Sequence, residues 1–84
     1  MKKRFLLREI DGEYLLVPLG DGNEQFTSLI TLNETGAFIW KRLEQKKTTD
    51  DIAKDMIKDY HVTFEKARAD ILRFTDYLKE KSIL

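Results

Sequence analysis

Apolar residues recur along this chain with two periods, first near two residues and then near 3.6. The first two runs, Phe5–Ile10 and Glu13–Pro18, flank Asp11-Gly12. A two-residue Asp-Gly connection predicts a tight hairpin, because both central residues need positive φ. The register follows: Ile10 faces Glu13, Arg8 faces Leu15 and Leu6 faces Val17, while on the opposite face Leu7 meets Leu16, with Phe5 and Tyr14 nearby. Both faces are partly apolar, so the pattern leaves open which one is buried. Pro18 cannot donate a ladder hydrogen bond and ends the second strand. Gly20-Asp21-Gly22-Asn23 reads as a flexible turn, and a third strand is predicted over residues 25–32. Three strands with short connections make an antiparallel meander with the third at its edge.

The period changes at Asn33. The residues before it are β-branched and uncharged; those after it, Gly36, Ile39, Trp40 and Leu43, recur at helical spacing. Asn33 suits an N-cap, since its side-chain oxygen can accept from the free N–H groups of the first turn, and Glu34 places negative charge at the positive end of the helix. The first helix is predicted over Glu34–Glu44. Gly36 costs about 1 kcal/mol against alanine in a helix interior, which implies a close contact there. Trp40 reads as a core anchor. Thr48 with Asp51 resembles a capping box, and Ile52, Ala53, Met56, Ile57 and Tyr60 then give a second helix over residues 50–60. After the short turn His61-Val62-Thr63, Thr63 caps a third helix over residues 64–81, with a core stripe of Ala67, Ile71, Phe74 and Leu78. The expected fold is α+β: a winged helix-turn-helix of three antiparallel strands followed by three helices, in a single domain spanning residues 1–84.

Charge and composition narrow the function. Lys plus Arg and Asp plus Glu number 15 each, so the formal net charge is zero. Free-standing nucleic-acid binders carry a clear basic excess. The second helix has four Asp against two Lys, and the third has five basic residues against four acidic. A helix-turn-helix with an acidic bracing helix would repel phosphates, so DNA binding or regulation by a winged helix is the alternative reading rather than the first. With no cysteine there are no disulfides, thiolate metal sites or cysteine nucleophile. No apolar run approaches the roughly 20 residues that span a bilayer. Met1-Lys2-Lys3-Arg4 begins like a signal peptide, but Arg8 and Glu9 interrupt the apolar stretch that should follow. A cytoplasmic protein is expected.

Catalysis finds little support. His61 is the only histidine and falls in a turn without evident metal partners; neither Ser28 nor Ser82 has a nucleophile-elbow context. Asp50, Asp51, Asp55 and Asp59 alternate with Lys54 and Lys58, as on a solvated helix face with ion pairs about a turn apart. No catalytic residue, metal ligand or cofactor is expected.

The third strand is unusual. Exposed edges are ordinarily protected by charge, proline or a bulge, yet residues 25–33 contain neither a charge nor a proline. Such an edge is covered by the protein's own helices, paired with a second copy in a homodimer, or kept for a partner. An extended peptide could pair with Phe26, Thr27, Ser28, Leu29, Ile30 and Thr31 as an added strand. The neighbouring wall would then be the flank of the third helix carrying Arg68, Leu72, Thr75 and Lys79.

The run Leu32-Asn33-Glu34-Thr35-Gly36-Ala37 with Ile39-Trp40 resembles the signature of the PqqD-like family. Asp51-Ile52, Tyr60, Val62, and Asp70-Ile71 with Phe74 and Leu78 fit the same pattern. The resemblance implies a precursor-peptide recognition element: a winged helix-turn-helix that takes the leader part of a ribosomally made precursor peptide as an added strand between strand three and helix three. Such domains present the leader to a modifying enzyme, often a radical S-adenosylmethionine (SAM) enzyme. Carried over, the groove would comprise Phe26–Thr31 with Arg68, Leu72 and Thr75. Thr75 departs from the bulky apolar residue expected beside Phe74.

Overall fold

A computed structural model describes residues 5–18, 30–81 and 83. It contains three strands and then three helices: β1 Phe5–Ile10, β2 Glu13–Pro18, β3 Ile30–Leu32, α1 Glu34–Glu44, α2 Thr49–Asp59 and α3 Phe64–Glu80. The sheet is antiparallel in the order β1-β2-β3. Residues 25–29 of the expected third strand lie outside the described residues.

The hairpin has the register its loop demands. Leu6 pairs with Val17, Leu7 with Leu16, Arg8 with Leu15 and Ile10 with Glu13, around Asp11 (φ 53°) and Gly12 (φ 82°). Positive φ at both turn residues matches the turn's twist to that of the strands. The sheet buries the face carrying Phe5, Leu7, Tyr14 and Leu16, to which β3 adds Ile30 and Leu32 through the pairs Leu16–Ile30 and Tyr14–Leu32. Thr31, paired with Leu15, points to the exposed face.

Each helix begins at its expected cap. Gly36 N–H donates to Asn33 Oδ1 at 2.7 Å, Asp51 N–H to Thr48 Oγ1 at 3.1 Å and Lys66 N–H to Thr63 Oγ1 at 3.1 Å. Each cap satisfies one of the donors that a helix N-terminus leaves free and is worth about 1 kcal/mol. α1 ends in a Schellman arrangement: Lys46 N–H bonds to Leu43 O and Lys47 N–H to Arg42 O, with Lys46 left-handed at φ 62°.

Two apolar clusters meet along α1 and α3. One joins the sheet to the C-terminal half of the chain through Phe5, Leu16, Leu32, Trp40, Leu78 and Ile83; the other packs α1, α2 and α3 through Ile39, Ile52, Ala53, Met56, Ala67 and Ile71. Phe74 touches both. Trp40 is fully buried, with Phe5 edge-on to its ring at 6.5 Å. Its indole N–H has no hydrogen-bond partner among the described residues. That omission costs about 1–3 kcal/mol, so ring packing, and not the polar edge, is what Trp40 supplies. Ile83 lies beyond α3, where Ile83 N–H bonds to Leu78 O at 2.8 Å and turns the side chain back under the sheet.

The acidic face of α2 is organised differently from the sequence expectation. Its described ion pairs run between elements and not along the helix. Asp55 Oδ2 accepts from Arg42 Nε at 3.0 Å and from Lys47 Nζ at 2.9 Å, and Asp50 meets Arg68 of α3 at 3.1 Å. Arg42 also lies 3.5 Å from the centroid of Phe38, which stacks edge-on against Tyr60. These contacts clamp the end of α1 to α2. The hydrogen bonds from Lys47 and then Arg42 hold the Asp55 carboxyl below its ordinary pKa.

Candidate functional site

β3 sits at the edge of the sheet: one side pairs with β2, and among the described residues no strand pairs with the other. Its end runs through Asn33 directly into α1, so the Asn33 cap fixes the strand edge relative to the helices. Beside this junction, between the start of α1 and the middle of α3, lies an open recess of about 480 Å³. Asn33, Thr35, Gly36 and Ile39 form one wall, and Asp70, Arg73, Phe74 and Tyr77 of α3 form the other.

Gly36 lets the start of α1 pack closely against α3 beside the recess. A Cβ at this position would stand 3.2 Å from Asn33 Oδ1, 3.3 Å from Phe74 Cε1 and 3.5 Å from Leu32 Cβ. The close contact expected at Gly36 is therefore with side chains from the cap and from α3. Phe74 supplies an apolar floor at the seam of the two clusters, and Tyr77 is 40% exposed at the rim. Asp70 is bound on two sides, by Lys66 Nζ at 3.2 Å and by Arg73 at 3.2 Å.

The sequence-derived site residues separate into three groups. Phe26, Thr27, Ser28 and Leu29 lie outside the described residues. Ile30 and Thr31 lie on β3, at the sheet edge as expected. Arg68, Leu72 and Thr75 are not brought to the recess. On a helix with the stripe Ala67, Ile71, Phe74 and Leu78 turned inward, they occupy one flank, while Asp70, Arg73 and Tyr77 occupy the other. Arg68 reaches Asp50 at the start of α2, Leu72 is 39% exposed, and Thr75 donates its hydroxyl to Leu72 O. Both flanks look equally plausible in sequence. Tyr77 is an aromatic residue just outside the core stripe, on the flank that borders the recess.

His61 is exposed, and among the described residues no group of three or more His, Cys, Asp or Glu could hold a metal ion. No helix among them is long and apolar enough to cross a membrane.

Residues 13–84 match the family model of coenzyme PQQ synthesis protein D (PqqD). The chain belongs to this family. Two solved structures share its fold. One is TbiB1 in complex with the TbiA(beta) leader peptide: the TM-score is 0.78 at 27% identity, covering 100% of this chain and 94% of that one. The other is lasso peptide synthetase B1 complexed with the leader peptide: the TM-score is 0.76 at 26% identity, covering 96% of this chain and 94% of that one. Comparison with curated proteins gives no match. The three antiparallel strands followed by three helices are thus the architecture of a PqqD-family domain, as the resemblance at residues 32–40 implied.

Proposed function

We propose that this PqqD-family chain binds the leader region of a ribosomally made precursor peptide by strand addition and presents it to a modifying enzyme. The supporting observation is the position of β3. It ends the sheet order with one side unpaired among the described residues, next to a recess walled by α3. Both similarly folded chains are described in complex with leader peptides. Main-chain pairing would supply affinity, and the recess would read side chains. The strand side of the site is Phe26–Thr31; the helix side is Arg73, Phe74 and Tyr77 in place of Arg68, Leu72 and Thr75. The domain acts without chemistry of its own in the cytoplasm, and it hands the leader to a radical SAM or other peptide-modifying enzyme.

A leader peptide from a precursor encoded beside this chain's gene tests the reading. In ¹⁵N-labelled protein, the amides of Ile30, Thr31 and Leu32 should shift and exchange more slowly on titration. Unchanged β3 amides would defeat the proposal. Salt separates it from winged-helix DNA binding. A protein making 6–10 phosphate contacts loses about 10³-fold or more in DNA affinity between 50 and 200 mM salt, whereas strand pairing should weaken far less.

A further inference from the structure

The recess is chemically lopsided, and this gives it a preference. Its carboxylate and its amide oxygen are already engaged: Asn33 Oδ1 accepts from Gly36 N–H, and Asp70 accepts from Lys66 and Arg73. Its donors are largely unused. Among the described residues Arg73 makes one hydrogen bond, through a single terminal nitrogen, and its side chain is 75% exposed. A guanidinium carries five N–H donors in a planar fork that matches a carboxylate. Thr35 and Tyr77 line the same space. Two cations, Lys66 and Arg73, share the one carboxylate of Asp70, so the negative charge on this wall is offset within α3 itself. Beneath the rim the floor is apolar, formed by Ile39, Phe74 and the bare Cα of Gly36.

From this we infer that Arg73 is a specificity determinant, and that the recess accepts a peptide segment with an apolar side chain on Phe74 and an acidic side chain two residues away on Arg73. In an extended chain, residues two apart share a face, so both can enter from one strand. The inference rests on the reading of β3 as the leader's seat, because a peptide paired with Ile30–Leu32 runs on past Asn33 into the recess. A basic residue in the acidic position would face Arg73 and be rejected, which makes the rim a filter against wrong peptides as well as a contact for right ones.

The test is selection from a displayed library of random 12-residue peptides, on the wild type and on Arg73→Glu. Arg73 is exposed and outside the core, so the variant should fold, and circular dichroism checks this. The wild type should enrich peptides with an apolar residue and, two positions away, Asp or Glu. Arg73→Glu should keep the apolar position and exchange the acid for Lys or Arg. For one enriched peptide, acid-to-amide replacement should weaken binding to the wild type by about tenfold, the scale of one charged hydrogen bond, and leave binding to Arg73→Glu unchanged or stronger. If peptides are enriched on β3 but the charge preference is absent, or is the same for both proteins, the inference fails and strand addition survives. If the folded wild type enriches no peptide, both fall.

Discussion

Gly36→Ala tests whether this glycine serves the fold or the recess. Alanine gains up to about 1 kcal/mol of helix propensity in a helix interior, and less in the first turn, where Gly36 sits. Against this stand two contacts a few tenths of an ångström too short, with Phe74 Cε1 at 3.3 Å and Asn33 Oδ1 at 3.2 Å. Both neighbours can give. The Phe74 ring is half-buried and borders the open recess, so it can swing outward. The cap bond at 2.7 Å can lengthen to about 3.0 Å and remain a good N–H···O bond. The terms nearly cancel, and the free protein should change stability by less than about 0.5 kcal/mol, well short of the 1–3 kcal/mol typical of overpacking. Trp40, the only tryptophan and fully buried, reports unfolding in urea by its fluorescence. Leader-peptide affinity should nevertheless fall, because both the new methyl and the displaced ring fill the recess. A stability loss above about 1.5 kcal/mol would mean that Phe74 is held fast, and the account of an adaptable recess wall would be refuted.

Asp55→Asn should destabilise the protein at neutral pH, and the difference should disappear in acid. Because the folded-state pKa is depressed, this carboxylate's contribution is present above the ordinary aspartate range and fades below about pH 4; urea midpoints measured at several pH values check it, and a pH-independent difference would contradict it. Lys46→Gly should stabilise by roughly 0.5–1 kcal/mol, since a side chain at φ 62° bears strain that glycine lacks; an unchanged melting temperature would count against strain at that cap. Ile83→Ala should cost roughly 2–4 kcal/mol, as expected for emptying a core position; a loss below about 1 kcal/mol in urea unfolding would show that the tail is not part of the core.

Much of this architecture could be read from local chemistry. Asp11-Gly12 set the hairpin register because a two-residue loop permits one alignment. Asn33, Thr48 and Thr63 marked the helix starts because free N–H groups at a helix end need an acceptor within three residues. The stripe from Ala67 to Leu78 named the buried face of α3 because the helical period places those side chains together. The burial of Ile83 was not legible, since nothing in the local pattern says that the chain turns back after α3. Nor were the partners of Asp50 and Asp55, which lie 18, 13 and 8 residues away along the chain.

What the sequence determined by itself was the kind and order of the elements, the hairpin register, the caps and the edge character of β3. Tertiary structure decided which sheet face is buried and which flank of α3 borders the β3–α1 junction. A helix pattern is symmetric about its apolar stripe, so Arg68, Leu72 and Thr75 had the same standing as Asp70, Arg73 and Tyr77. Only the packing of α3 against α1 and the sheet distinguishes the two flanks, and that packing depends on contacts between residues far apart in the chain.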